Sequence, residues 1–264
     1  MATETEIFAF LGKGGVGKTA LSAISGKIFI ESSLRVLFVD ADPAEGLATA
    51  LGISGYKTIG VAREEIIRQA RIANSDQEKE RLSEIIDYCL FESLYEGPCF
   101  SAIIMGQTNS LGCYCPVNSL LRNTISSIAE RFDIVIIDAE AGIEQVNRQV
   151  VERVNYPVIV SDNSVRSVRT VNSILETIQR SPMMAPARTG VIFNRVDSPD
   201  AGLLETVKGF HLEIYGSVPP DPEISEFDLR GRAMTSLPGD SVAVQSMMRI
   251  IKGLQFPFSI EGGI

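Results

Sequence analysis

The residues Gly12-Lys13-Gly14-Gly15-Val16-Gly17-Lys18-Thr19 constrain this chain more than any other stretch. They fit G-x-x-x-x-G-K-[S/T] without a mismatch. The apolar run Ile7-Phe8-Ala9-Phe10-Leu11 precedes them with the length of a strand. Residues 20–29, free of proline and rich in helix formers, follow. Strand, glycine-rich loop and helix in that order is the setting in which such a loop cradles phosphate. Gly12, Gly14, Gly15 and Gly17 are expected to take positive φ, so that the backbone can approach an anion closely. The loop N–H groups, that of Val16 among them, and the start of the helix then point at the anion. Lys18 is placed to bridge β- and γ-phosphates, and the Thr19 hydroxyl to ligate Mg²⁺.

Further apolar runs of strand length occupy residues 35–39, 100–105, 133–138, 157–160, 190–193 and 214–218, separated by helix-length segments. Helices are expected within 61–93 and over 118–131, 167–179 and 242–254. Strand alternating with helix predicts an α/β fold: a doubly wound, mostly parallel sheet flanked by helices, of the P-loop NTPase type. The 264 residues show no composition break and no Pro/Ser-rich linker, so a single domain over 1–264 is expected. In such sheets ligands bind beyond the carboxyl ends of the strands.

Composition narrows the partners. A net charge of −9 argues against a general nucleic-acid surface. No apolar run approaches the ~20 residues of a membrane span. The polar, acidic start Met1-Ala2-Thr3-Glu4-Thr5-Glu6 does not resemble a leader. A cytoplasmic location follows, and there the four cysteines read as thiols or metal ligands rather than disulfides. Cys89 and Cys99, flanking an apolar and aromatic stretch, read as small buried hydrophobes. The lone histidine, His211, is assigned no role.

Several residues at strand ends complete a nucleotide site. Asp138 ends an apolar run and suits a Mg²⁺ carboxylate, although a strand-end aspartate can equally cap a turn. Asp40 and Asp42 follow the second strand. Two acids beside a triphosphate are electrostatically reasonable only with a cation present, and Asp40 also reads as a helix N-cap. Asn194-Arg195-Val196-Asp197 lies close to the guanine-reading pattern N-K-x-D, which leaves ATP and GTP both open. Cys113-Tyr114-Cys115 offers two thiolates to a borderline cation. A tetrahedral site needs four ligands, which a two-fold dimer would supply; by spacing alone the pair reads as well as free loop cysteines.

With Lys13 as a second lysine, the loop resembles the deviant Walker A family that includes MinD, ParA and the nitrogenase iron protein. The resemblance implies that Lys13 reaches across a nucleotide-sandwich homodimer to the other subunit's phosphates. It implies that Gly142 donates its N–H to the γ-phosphate, that Asp42 orients or deprotonates the attacking water, and that Asp40 lies near the Mg²⁺ shell. It places adenine against Asn194 and Arg195 and a later loop holding Pro219 and Asp221, which favours ATP. Gly112-Cys113-Tyr114-Cys115-Pro116-Val117-Asn118-Ser119-Leu120-Leu121 and Asp138-Ala139-Glu140-Ala141-Gly142-Ile143-Glu144 are further similar to the carbon monoxide dehydrogenase accessory ATPases of the CooC type. That likeness runs from about residue 6 to about residue 222.

The narrower resemblance implies a Mg²⁺-dependent ATPase assisting nickel insertion into a client such as carbon monoxide dehydrogenase or acetyl-CoA synthase. Zn²⁺ or Ni²⁺ would bridge the dimer through Cys113 and Cys115, with no nucleic-acid or membrane partner. Gln145, Asn147-Arg148-Gln149 and Asp162-Asn163 depart from the family pattern and bear on which client is served. Two other classes compete. A positioning or partition ATPase of the MinD/ParA kind would call for a membrane-binding tail or a basic patch, whereas the C-terminal stripe Val244, Met247, Met248 and Ile251 reads as docked core. An iron–sulfur reductase would need a cysteine after the Asp138 strand, and residues 139–152 contain none.

Overall fold

Eight strands appear in the computed structural model, which describes residues 4–72, 88–107, 123–139, 153–180, 188–254 and 256–260. They are β1 (Glu6–Leu11), β2 (Val36–Asp40), β3 (Leu94–Glu96), β4 (Ser101–Ile104), β5 (Ile134–Asp138), β6 (Tyr156–Ser161), β7 (Gly190–Asn194) and β8 (Glu213–Val218). They form one sheet in the order β3-β4-β2-β5-β1-β6-β7-β8. Only β3 runs antiparallel, against β4. The expected doubly wound architecture is therefore present.

Alternation along the strands explains why both faces are covered. Phe8, Phe10, Phe38, Ile134, Ile136 and Val158 face one way. Ile7, Ala9, Leu11, Val39, Ile137 and Phe193 face the other. The first face packs under α1 (Lys18–Glu31), α2 (Gly46–Ala50), and two helices near the end of the chain, residues 222–229 and 242–253. The second packs under α3 (Ile59–Ile72), α4 (Val165–Gln179), α5 (Ala201–Gly209) and helical residues 123–129. The helices near the end are α6 (Pro222–Leu229) and α7 (Val242–Gly253).

The apolar stripe of α7 is docked, as its pattern predicts: Val244, Met247 and Ile251 are buried and Met248 partly so. Beyond α7, Phe256 packs edge-on against Phe8 and Phe29, with ring centroids 6.0 and 5.5 Å away.

β3 lies just past the helix-rich stretch 61–93, where no strand was expected; its three residues are only half-buried or exposed, so it carries no buried apolar pattern. One local expectation needs correction. Cys99 is exposed and Cys89 half-buried, so only Cys89 contributes to a core. His211 is exposed at the turn after α5.

Candidate functional site

Parallel strands end side by side to build the site. Asp138 closes β5 in register with Phe10 of β1 and Asp40 of β2. The glycine-rich loop leaves β1 at that level and turns into α1. Its geometry gives its glycines different duties. Gly12, at φ 147°, runs so close to β6 that a Cβ would sit 2.3 Å from the Val160 carbonyl oxygen. Gly17, at φ 91°, would place a Cβ 2.3 Å from Asn194 Nδ2.

Between them, Val16 N–H donates to Lys13 O at 3.4 Å. This closes a turn of the type II pattern, in which only the third residue needs positive φ. That residue is Gly15, at φ 80°. Gly14 is the second, and it is not among the positive-φ glycines. The expectation of positive φ therefore holds for Gly12, Gly15 and Gly17 and is corrected for Gly14.

The end of β7 braces the loop from outside. Asn194 Nδ2 donates to Val16 O at 2.7 Å and Arg195 Nη1 to Gly15 O at 3.2 Å. A trans peptide points its C=O and N–H opposite ways, so the first bond turns the Gly17 N–H away from β7. Lys18 is buried, and its Nζ folds back to Lys13 O at 3.3 Å. Lys13 itself is half-buried.

Thr19 and Asp138 meet as expected: Thr19 Oγ1 donates to Asp138 Oδ2 at 2.6 Å. Ser22, one turn further on the same face of α1, places its Oγ 3.5 Å from Asp138 Oδ1. Sequence reasoning missed Ser22; its spacing from Thr19 is the signal that could have found it. Burial pushes the Asp138 carboxyl up to about 7, against the pull of the Thr19 hydroxyl and Lys18, with Asp40 and Asp42 adding repulsion. Oxygen donors of this kind, one carboxylate and one hydroxyl, suit Mg²⁺ completed by substrate phosphates. The residues present therefore fit the ion, and a cation would relieve the repulsion among these acids.

Asp40 is fully buried, and its oxygens accept three backbone N–H groups: Asp42 at 3.2 Å, Leu47 at 2.9 Å and Ala48 at 3.1 Å. Asp40 is not the N-cap residue of α2, which is Glu45, but its carboxylate satisfies N–H groups of the first turn of α2 from β2, and it stands beside Asp138 in the sheet. Burial raises its carboxyl to about 6 despite those bonds. Asp42 is half-buried and Oδ1 accepts from Ala44 N at 2.9 Å. Gly46, just beyond, lies so near the loop helix that a Cβ there would be 3.8 Å from Thr19 Oγ1. Asp40, Asp42, Thr19 and Asp138 thus converge at one place.

Beside the loop lies a pocket of about 180 Å³ whose walls include Gly17, Asn194, Arg195, Pro219, Pro220 and Asp221. The four residues expected at the purine are brought together, and the carboxylate of Asp221 is engaged within the protein. Its Oδ1 accepts from Glu223 N at 2.9 Å, and its Oδ2 from Ser241 Oγ at 2.6 Å and Ala243 N at 3.0 Å. Asp221 thus caps α6 and ties the start of α7 to it, a role the sequence reading did not assign, while still lining the pocket. Burial alone would raise its carboxyl, but these donors hold it below the usual range. Asp221→Ala is expected to cost about 2 kcal/mol, because it strands buried donors. Urea unfolding would measure this, with Asp221→Asn retaining part of the loss.

Gly142, Cys113 and Cys115 lie outside the described residues. Among the described residues, no group of three or more His, Cys, Asp or Glu side chains could hold a metal ion by itself. None of the helices there is long and apolar enough to cross a membrane.

Fold and loop together define a P-loop nucleotide-binding protein. Residues 7–234 match the CobQ/CobB/MinD/ParA nucleotide binding domain, and the chain belongs to that family of ATP-binding P-loop NTPases. It is 31% identical to the uncharacterized ATP-binding protein MJ0685 of Methanocaldococcus jannaschii, over 92% of this chain and 96% of that one. It is 28% identical to the carbon monoxide dehydrogenase accessory protein CooC of Rhodospirillum rubrum, over 84% and 87%. Among solved structures, the septum site-determining protein MinD of Pyrococcus horikoshii, complexed with Mg-ADP, superposes with a TM-score of 0.65 at 18% identity, covering 95% and 96%.

Proposed function

We propose that this chain is a Mg²⁺-dependent ATPase acting as a nucleotide-sandwich homodimer in the maturation of a nickel enzyme such as carbon monoxide dehydrogenase. The observation that carries this reading is the Cys113-Tyr114-Cys115 pair in a chain related to CooC along most of its length. In this reading Lys18 and the loop N–H groups, with that of Gly142, hold the phosphates. Lys13 serves the nucleotide of the second copy, and Asp42 takes the proton of the attacking water. Thr19 and Asp138 hold Mg²⁺, which when bound neutralises charge on the β- and γ-phosphates. Asn194, Arg195 and Pro219 frame the base. Adenine is favoured over guanine because Asp197, the acid a guanine reader would use, is exposed and does not line the pocket.

A positioning ATPase resembling MinD is the competing class, and the docked stripe of α7 weighs against a membrane anchor in that helix. The test is metal content and solution mass of the purified protein with Mg²⁺–ATP and with Mg²⁺–ADP. About one zinc or nickel per two chains, with dimers favoured by ATP, is the expected result. Replacing both Cys113 and Cys115 by Ala should remove that metal and leave nucleotide binding in place. Unchanged metal content in the double variant would sink the bridge. A metal-free protein that binds lipid vesicles or DNA would favour the competing class.

A further inference from the structure

The turn that carries Asp42 is held in an uncommon shape. Glu45 lies at φ 56°, ψ 34°, in the left-handed region, which side-chain-bearing residues other than Asn and Asp seldom adopt. Its N–H donates to Asp42 O at 3.0 Å, while Asp42 Oδ1 accepts from Ala44 N. The turn is thus closed through both the backbone and the side chain of Asp42. On one side it abuts Thr19, through Gly46. On the other the Tyr56 hydroxyl donates to Glu45 Oε2 at 2.7 Å, and Tyr56 packs partly buried against the α1-side core.

This arrangement answers an electrostatic problem. A carboxylate one residue from Gly46, beside the candidate Mg²⁺ and phosphate ligands, would repel a triphosphate if it swung inward. A hydrogen bond from a neutral hydroxyl to a carboxylate is among the stronger ones, and it draws the Glu45 side chain to Tyr56. We propose that Glu45 and Tyr56 are positioning residues for hydrolysis: the Tyr56 hydroxyl holds the Glu45 carboxylate, which fixes the strained turn and with it the place where Asp42 presents its carboxylate. The inference rests on the reading of Asp42 as the residue that handles the attacking water.

The test compares ATPase kinetics, ATP affinity and melting temperature for Tyr56→Phe, Glu45→Ala, Glu45→Gln, Glu45→Gly and Asp42→Ala in the full chain. Tyr56→Phe and Glu45→Ala should each lower kcat about tenfold, the scale of a displaced catalytic group, with KM and ATP affinity held within about twofold. Glu45→Gln, whose amide oxygen still accepts from Tyr56, should recover most of the loss. Glu45→Gly, relaxed in φ but lacking the acceptor, should stay as slow as Glu45→Ala with a melting temperature no lower than that of the parent. Parent-like kcat in Tyr56→Phe and Glu45→Ala beside an inactive Asp42→Ala would overturn the latch and leave the Asp42 role standing. An active Asp42→Ala would instead overturn that role. Full activity in Glu45→Gly, or losses of kcat that merely track melting temperature across the set, would also overturn the proposal.

Discussion

Asp138→Asn is expected to abolish Mg²⁺-dependent hydrolysis, by two orders of magnitude or more on the scale of a lost preorganised charge, about 10²–10³ in kcat, while making the nucleotide-free protein more stable above neutral pH. The second effect follows from burial. Asp138 is 1% exposed and its carboxyl is raised to about 7. Below about pH 4 both folded and unfolded chains carry it protonated, so it does not affect stability. Between about 4 and 7 the unfolded chain ionises and releases a proton that the folded chain keeps. The folded state then binds more protons, and stability falls as pH rises.

Above about 7 the full cost stands, on the order of 4 kcal/mol. The amide cannot ionise and can still accept from Thr19, so the variant escapes this decline. Melting curves from pH 5 to 9 should therefore diverge, with the variant higher at the alkaline end. Mg²⁺–ATP should raise the parent's melting temperature more than the variant's. A variant that hydrolyses at the parental rate, or that is less stable than the parent at pH 8, would contradict this account of the site.

Gly12→Ala should be the most damaging of the single alanine replacements in the loop. A Cβ at residue 12 meets a backbone carbonyl, Val160 O, at 2.3 Å, so no side chain can move aside to admit it. The backbone there also sits at φ 147°. Strain and overpacking together predict a loss of about 3 kcal/mol or more and loss of ATP binding. Gly15→Ala meets nothing within 4 Å but must hold φ 80°, so about 1 kcal/mol is expected. Gly14→Ala has open space and no positive φ, and its stability should stay within about 0.5 kcal/mol of the parent. Chemical denaturation of the three variants gives this order or refutes it.

The sheet was legible because buried parallel strands are written as nearly unbroken apolar runs. The expected strands at 133–138 and 190–193 differ from Ile134–Asp138 and Gly190–Asn194 by one residue at one end. Leu94–Glu96 escaped notice because an edge strand of three residues has no buried face to encode. The phosphate loop was legible as a motif, yet the division of labour among its glycines depends on Val160 and Asn194, which the chain brings in from far downstream. The capping role of Asp221 could have been read as well: Asp followed by Pro is an N-cap and first-turn signature. The bonds Asp40 makes could not be read from spacing, since the N–H groups of Leu47 and Ala48 reach it only in the folded chain. Glu45 and Tyr56 have no motif at all; only the folded turn makes them neighbours.

The position of β1 has a consequence for the order of synthesis. Its two neighbours in the sheet arrive late: Glu6 waits for Ile134, and Phe8 for Tyr156. The phosphate loop thus leaves the ribosome well before it can gain its shape, because the wall behind Gly12 is Val160 and the brace on Val16 is Asn194. During elongation β2 and β4 can pair first, while the nucleotide cradle remains a loose segment with nothing to lean on. Nucleotide can therefore act as a folding ligand only for a chain whose translation has passed residue 194, and an interrupted product would reach the cell with its signature motif intact and its binding site unmade.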